Sequence, residues 1–168
     1  MDDTSASISL FDKPGHLMRR AQQIAVSIFT EECKEFGLTP VQYALLCAVR
    51  DNPGIDQITL ASLVALDRSN TGDVIGRLED RGLLQREPGR VDRRTKTLRT
   101  TPEAVSLLQR MDDVVQESQR RILAPLSESE QLVFMELLTK LVHVNNPLSR
   151  APWRPATKRN GRHEATPS

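Results

Sequence analysis

The chain has 168 residues, of which 38% are hydrophobic and 27% are charged, and its net charge is only +1. This length suits one compact domain with its own core, whereas two full domains would be cramped. The sequence has no apolar run near the roughly 18 residues of a membrane span, and its two cysteines are too few for a disulfide framework.

The N-terminus, MDDTSASISLFDK, is acidic and lacks the basic and apolar regions of a signal peptide. We therefore expect a cytoplasmic protein in a reducing compartment, with no membrane partner. Residues 1–10 are small and polar, which favours a flexible tail.

Two helices are predicted next along the chain. The first spans Pro14 to Phe36, because apolar residues recur there at helical spacing, and Gly37 ends it. The second begins at Thr39 and runs to about Asp51, with a proline at its first position and a glutamine able to reach back to the cap. Its end is marked by the turn sequence Asn-Pro-Gly.

The next segment predicts a helix-turn-helix. Ile58 is expected to form a one-residue strand, and Thr59 is expected to cap a short helix, LASLVAL. A turn over 67–70 leads into a helix from about Thr71 to Arg81, which Gly82 ends in a left-handed cap. Three apolar residues of this helix are expected to face inward: Val74, Ile75 and Leu78.

A β-hairpin follows, with strands at 84–87 and 96–99 and a long polar tip. The segment from Arg86 to Arg99 contains six basic and two acidic residues, so it carries a charge of +4. Clustered charge of this kind is typical of a surface that binds phosphates. A helix able to enter a groove, followed by an arginine-tipped hairpin, indicates DNA binding.

Two long helices complete the chain. One begins at Thr101-Pro102 and runs to about Leu123, and the other begins at a capping box at Ser127 and ends near Asn146. The tail beyond Pro147 has no periodicity and is predicted to be disordered. The outer helices carry apolar stripes that a small central domain cannot cover, which favours packing against a second subunit. Apolar residues of these stripes are Val114, Val115, Leu132, Leu137, Leu138 and Leu141.

The predicted fold is therefore mainly α with a small β-hairpin, a winged helix-turn-helix flanked by dimerisation helices. From about Phe11 to Asn146 the chain resembles the MarR family of bacterial transcription regulators. The resemblance rests on LTPVQYALL from Leu38, TLASL from Thr59, GLL from Gly82 and DRR from Asp92. The segment GHLMRRAQQ from Gly15 is similar to members that regulate the breakdown of aromatic acids.

The resemblance implies a homodimer that binds a near-palindromic operator on double-stranded DNA, usually as a repressor, and releases it when a small phenolic or aromatic carboxylate binds. It also implies a domain over 11–146, with the winged helix-turn-helix at about 37–101 and dimerisation helices at about 14–36 and 102–146. Residues 1–10 and 147–168 are then flexible tails.

The recognition helix is expected to expose Asn70, Thr71, Asp73, Arg77 and Arg81. In this position Arg77 can recognise guanine and Asn70 can recognise adenine. In the wing, a turn can bring the Asp92 carboxylate onto Arg94, which would lie in the minor groove with Arg93. The alternatives are an ordinary polar helix surface and a hairpin tip kept polar for solubility. The predicted DNA contacts are Arg68, Ser69, Asn70, Thr71, Asp73, Arg77, Arg90, Asp92, Arg93 and Arg94.

An effector site is predicted on the first helix. At 100° per residue, His16 and Arg20 lie on one flank of the apolar stripe centred on Leu17, and Arg19 lies on the far side. A cation at the edge of an apolar pocket suits an aromatic carboxylate, with His16 donating to a ring substituent and Tyr43 closing the pocket. The alternative is that Arg20 forms a salt bridge within the dimer and His16 merely begins the helix.

The remaining residue types give little support for other chemistry. Cys33 and Cys47 are most simply small buried residues, although a thiol-oxidation switch stays open as an alternative. The three histidines are far apart in sequence, and no phosphate loop or nucleophile motif is present, so we expect no metal, cofactor or catalytic residue. The sequence thus predicts a repressor controlled by a benzoate- or hydroxynicotinate-like acid; the other alternative is an architectural DNA-binding protein without an effector.

Overall fold

The computed structural model describes residues 9–89 and 96–153, and within them the fold is mainly helical with one small antiparallel sheet. The predicted fold class is confirmed. The helices are α1 (Pro14–Glu32), α2 (Pro40–Asp51), α3 (Gln57–Leu63), α4 (Arg68–Asp80), α5 (Pro102–Leu123) and α6 (Glu128–Asn145). The strands are β1 (Ile55–Asp56), β2 (Leu84–Pro88) and β3 (Lys96–Thr100).

The connection from α1 to α2 is tighter than the sequence predicted. The α-helix ends at Glu32, and Lys34–Phe36 form a 3₁₀ turn where the prediction continued the helix. The tighter turn buries Cys33 in the core, and Gly37 then reverses the chain at a φ of 61°, where a side chain would be strained. At the start of α2 the predicted capping box is confirmed: Thr39 accepts from the Gln42 amide, and the Gln42 side chain accepts from the Thr39 amide.

The predictions for Ile58 and Thr59 were wrong. The strand is Ile55–Asp56, and Ile58 lies within α3 with 58% of its surface exposed. Asp56 is the cap of α3, because its carboxylate accepts from the backbone amides of Ile58 and Thr59 at 2.9 and 3.0 Å. Thr59 donates its own hydroxyl to that carboxylate at 2.7 Å, so it supports the cap that it was expected to provide.

Helix α4 begins at Arg68, three residues before the predicted start. The backbone amides of Asn70 and Thr71 donate to the Asp67 carbonyl at 3.1 and 3.0 Å. Residues 68–70, which were predicted to form a turn, are therefore part of the helix. At the other end Gly82 has a φ of 69° and makes the predicted left-handed cap.

The hairpin strands are each one residue longer than predicted. Strand β3 is central in the order β1-β3-β2, and Leu98 pairs with Ile55 on one side and with Arg86 on the other. Leu98 is buried, so the wing is joined to the core through its central strand.

One core joins the winged unit to α1 and α5. Phe29 of α1 and Met111 of α5 belong to the same buried cluster as the residues of α2, α3 and α4. This shared core holds the long helices and the recognition helix in one body. Its large, fully buried apolar side chains include Leu45, Leu46, Leu60, Ile75, Leu78, Leu98, Leu108 and Met111.

Helix α6 has the predicted capping box at Ser127 and carries no buried residue. Its predicted stripe residues are exposed by 75% at Leu132, 59% at Leu137 and 41% at Leu141. The predicted stripe on α5 differs, because Val114 and Val115 are partly buried against the chain's own core. In the part of the chain that the structure describes, no helix combines the length and apolarity needed to cross a membrane.

The C-terminal boundary lies beyond the predicted one. Asn146–Leu148 form a 3₁₀ turn, and the Asn146 amide group accepts from Trp153 N at 2.7 Å and donates to Trp153 O at 2.9 Å. The Trp153 ring stacks on His143 with centroids 6.1 Å apart, so the predicted tail includes a docked segment. Residues 154–168 and 1–8 of the predicted tails lie outside the described residues.

Candidate functional site

Helix α4 presents a polar face that lies beside the wing. Asn70, Asp73 and Arg77 are all exposed, and their spacing of three and four residues places them on one side of the helix. Opposite them, Ile75 and Leu78 are fully buried and Val74 packs partly against the core, as predicted. Because α4 begins at Arg68, Asn70 belongs to the helix itself and shares its face with Arg77.

The prediction that Thr71 is exposed was wrong. Its side chain is fully buried, and its hydroxyl donates to the Asp67 carbonyl at 2.9 Å. Thr71 follows Asn70 by one residue and therefore points to another side of the helix. Its methyl and hydroxyl groups stabilise the start of α4 from the inside.

Arg81 is exposed, as predicted, and its guanidinium turns back toward the α1–α2 connection. Nη1 donates to the carbonyl of Gly37 at 2.7 Å, and Nη2 donates to the carbonyl of Phe36 at 3.2 Å. These bonds span 44 and 45 residues of sequence, so no local pattern could have predicted them.

Ion pairs offset part of the positive charge predicted for the wing. Arg86 pairs with Glu79 of α4 at 3.4 Å, and Arg99 pairs with Glu87 of the neighbouring strand at 2.7 Å. Both pairs are partly exposed, which limits their contribution to stability to about 0–1 kcal/mol each. Lys96 at the start of β3 is exposed.

Several predicted DNA contacts lie outside the described residues. They are Arg90, Asp92, Arg93 and Arg94 at the wing tip, together with the side chains of Arg68 and Ser69. Their contacts stay predictions, including the pairing of Asp92 with Arg94. The strands on either side of the tip are placed, and they bring 89 and 96 to the same end of the hairpin.

The predicted effector residues of α1 differ in their surroundings. Arg20 is exposed, as is Arg19 on the neighbouring side of the helix. Leu17 and Ile24, the predicted apolar wall, are 53% and 52% exposed. The wall that an aromatic ring would contact is therefore incomplete in one protomer.

His16 is partly buried, and its Nε2 atom is buried without a hydrogen-bond partner in the described part of the chain. The ring of Phe11 meets the imidazole edge to face, with centroids 5.6 Å apart and planes at 83°. A buried nitrogen without a hydrogen-bond partner lowers stability by about 1–3 kcal/mol. This atom is therefore suited to form a hydrogen bond with a bound molecule. Phe11 was missed because it precedes Pro14 in a short 3₁₀ turn and belongs to no periodic stripe.

Within one protomer Tyr43 packs near the end of α1 that is opposite to His16. The Tyr43 ring packs on Phe29 of α1, with centroids 5.6 Å apart. Phe29 lies thirteen residues along the helix from His16, which corresponds to about 20 Å at 1.5 Å per residue. The closure of the pocket by Tyr43 therefore stays a prediction.

Tyr43 lies one turn before Cys47 on α2. Burial raises the pKa of Tyr43 above its usual range, and the nearby Cys47 adds to the shift. Burial also raises the pKa of the Cys47 thiol, despite the opposing effect of Tyr43. For Cys33, burial and then the nearby Glu32 carboxylate raise the thiol pKa. Both thiols are thus kept protonated near neutral pH, which makes them poor nucleophiles toward oxidants.

Among the described residues, no three histidine, cysteine or carboxylate side chains lie close enough together to hold a metal ion. His16 and His143 belong to different helices, and His163 lies outside the described residues. The surface formed by α4 and the wing is therefore the main candidate site, with the N-terminal part of α1 as a second one.

A model of the MarR family matches residues 38–96, which include α2, α3, α4 and the first strand of the wing. The chain is 34% identical over 138 residues to a putative transcriptional regulatory protein for the hcr operon of Thauera aromatica, covering 79% of this chain and 81% of that protein. Such matches are regulators rather than enzymes.

Two solved structures resemble the fold over most of its length. The transcriptional regulator PcaV of Streptomyces coelicolor, in complex with its natural ligand, is 35% identical with a TM-score of 0.72, covering 82% of this chain and 97% of that one. BpsR of Bordetella bronchiseptica, whose DNA binding is regulated by 6-hydroxynicotinic acid, is 29% identical with a TM-score of 0.76, covering 80% of this chain and 96% of that one.

Proposed function

Because this chain belongs to the MarR family of transcriptional regulators, we propose that it is a dimeric repressor that leaves its operator when a small aromatic carboxylate binds. The main support is the polar face of α4, where Asn70, Asp73 and Arg77 are exposed beside the wing. In two subunits related by a two-fold axis, these helices enter successive major grooves when the half-sites lie about 34 Å apart.

The experiment that tests this function has two steps. The wild-type chain is first used to select its operator from random DNA. A panel of benzoate, 4-hydroxybenzoate and 6-hydroxynicotinate is then tested for release of the selected DNA. Selection of a near-palindrome and its release by one of these acids are expected. Equal binding of selected and scrambled DNA would instead support an architectural protein, since phosphate contacts alone carry no sequence preference.

Two variants should distinguish base recognition by α4 from backbone contacts made by the wing. Arg77→Ala should lower operator affinity and relax preference at one base position, because a lost bidentate base contact costs about 1–3 kcal/mol. Arg94→Ala should weaken binding to all sequences alike, because phosphate and groove-shape contacts do not depend on the individual base contact. Affinity of each variant for operator and scrambled DNA is the measurement.

A matched control for these variants is Arg110→Ala, which removes the same charge from an exposed position on α5. Its affinity for both DNAs should stay close to that of the wild type. Negligible losses for both Arg77→Ala and Arg94→Ala would show that α4 and the wing do not contact the DNA.

The dimer is proposed because α1 and α6 leave large apolar side chains in water. Leu17, Ile24, Leu137 and Leu141 are each exposed by more than 40%. Contiguous apolar surface of this kind is rare on a stable monomer and typical of an interface. A second copy of the chain would cover these faces and hold two α4 helices in a fixed relation.

The effector is proposed from the chemistry of α1 and from the acid that regulates BpsR. The Arg20 guanidinium suits a carboxylate, and the buried Nε2 atom of His16 suits a ring hydroxyl or ring nitrogen. Leu17 and Ile24 supply half of an apolar wall, which the second subunit would complete. Binding of the acid at this junction would favour one spacing of the recognition helices over another.

Oxidation is not expected to release the DNA, because burial raises the pKa of both thiols. We expect hydrogen peroxide, at a few equivalents over the protein, to leave operator affinity unchanged. The Cys47→Ser variant should behave in the same way, and fluorescence anisotropy of labelled operator is the measurement. If peroxide releases the DNA from the wild type but not from Cys47→Ser, the thiol-oxidation mechanism replaces the aromatic-acid mechanism.

A further inference from the structure

We propose that Arg81 is a positioning residue that sets the orientation of the recognition helix relative to α1, and so the half-site spacing that the dimer accepts. This inference rests on the proposed function, because it requires a dimer that binds two half-sites. Arg81 is exposed and follows Arg77 by one turn, but its guanidinium is bonded to the connection between α1 and α2.

The geometry joins the ends of two elements. Arg81 is the C-terminal cap residue of α4, and its guanidinium donates to Gly37 O at 2.7 Å and Phe36 O at 3.2 Å. These carbonyls belong to the last residue and the C-terminal cap of the 3₁₀ turn after α1, where a helix leaves carbonyl groups without partners of its own. A planar guanidinium bonded to two carbonyls restrains direction as well as distance.

Both elements are fixed at this point by their own backbone. Gly37 has a φ of 61°, and Leu38, which follows it, is buried. On the side of α4, Leu83 N donates to Leu78 O at 2.9 Å, and Gly82 completes the left-handed cap. The two bonds of Arg81 therefore join two well-defined chain ends and not two loose loops.

A second arginine holds the same end of α1 from the other side. Arg121 of α5 donates to Glu31 at 3.1 Å and to Glu32. The C-terminal end of α1 is thus connected to α5 by Arg121 and to the recognition helix by Arg81. Since the exposed apolar side chains of α1 belong to the proposed dimer face, Arg81 relates the direction of α4 to the position of the partner subunit.

Loss of this restraint should appear as tolerance of altered operators. One inserted base pair increases the separation of the half-sites by about 3.4 Å and rotates one relative to the other by roughly a tenth of a turn. The wild type should lose about 100-fold in affinity on this insertion, within the usual range of coupling between sites. Arg81→Met keeps the aliphatic stem but has no hydrogen-bond donors. The affinity of this variant should therefore fall by only about tenfold or less on the same insertion.

The experiment compares the wild type, Arg81→Met, Arg81→Lys and Arg110→Met on the selected operator and on versions with one base pair inserted or deleted at its centre. Arg81→Lys retains a cation that can donate to Gly37 O and should restore part of the discrimination. Arg110→Met removes the same charge from an exposed position and should discriminate like the wild type. Thermal unfolding of each variant checks that the fold is retained.

Other roles for Arg81 predict other results. A merely structural role would weaken binding equally at every spacing, and a base contact would change sequence preference without changing spacing preference. Either result, or full wild-type discrimination by Arg81→Met, would overturn the positioning role while leaving the proposed function intact. If the wild type selects no sequence, the proposed function fails and the positioning role falls with it.

Discussion

Leu137→Glu is expected to convert the dimer into monomers and to lower operator affinity by about 10²–10⁴-fold, because the two half-sites are then bound separately. Leu137 is 59% exposed on α6, and one turn away Leu141 and Val133 are 41% and 55% exposed. A carboxylate among these side chains would be desolvated without a partner at the interface. Sedimentation velocity at micromolar concentration and anisotropy of labelled operator measure the two effects.

The matched control is Gln109→Glu, which places a carboxylate at an exposed position of α5. Helical geometry puts it beside Ser106, Asp112 and Asp113, away from the apolar residues of α6. This variant should remain a dimer with nearly unchanged affinity. A wild-type chain that sediments as a folded monomer, or a Leu137→Glu variant that sediments as a dimer, would refute the proposed assembly.

Arg20→Ala is expected to abolish release of the operator by the aromatic acid while leaving DNA binding largely intact. Removal of the guanidinium leaves the bound carboxylate without its counter-charge in a pocket closed by the second subunit, which is strongly penalised. The affinity for the acid should fall by at least about tenfold. Calorimetry with benzoate, 4-hydroxybenzoate and 6-hydroxynicotinate, combined with DNA release, measures both quantities.

Two controls separate the proposed pocket from other parts of the protein. Arg19→Ala removes another exposed charge from the neighbouring position of α1 and should matter less. Tyr43→Phe, on α2, removes the hydroxyl but keeps the ring that packs on Phe29, and it should leave the affinity for the acid unchanged if the pocket lies at His16 and Arg20. Unchanged affinity and release in Arg20→Ala would show that the acid binds elsewhere or that Arg20 serves only as a salt-bridge partner.

Local signals predicted most of the fold. The caps at Thr39, Thr101 and Ser127 and the left-handed glycines at 37 and 82 act within four residues, so the chain's own backbone hydrogen bonds decide them. The errors have local causes as well. Asp56 competed successfully with Thr59 for the cap of α3, because its carboxylate accepts from two amides at once.

The candidate site was predicted less completely than the fold. Periodicity identified the buried face of α4 correctly, but Thr71 was assigned to the exposed side, and the bonds of the exposed Arg81 to the α1–α2 connection were not predicted. Thr71 precedes Ile75 by four residues and Leu78 by seven, so helical geometry places it on the buried face that they share. The polar face that remains is the smaller set of Asn70, Asp73 and Arg77.

The sequence by itself determined the order of helices and strands, the family and the general position of the DNA-binding surface, since each depends on short-range patterns. Only the tertiary structure decided which side chains meet across long sequence distances. It paired Arg81 with the carbonyls of Phe36 and Gly37, and it separated Tyr43 from His16 by most of the length of α1. Such contacts depend on how the helices pack around a common core, and no local spacing encodes that arrangement.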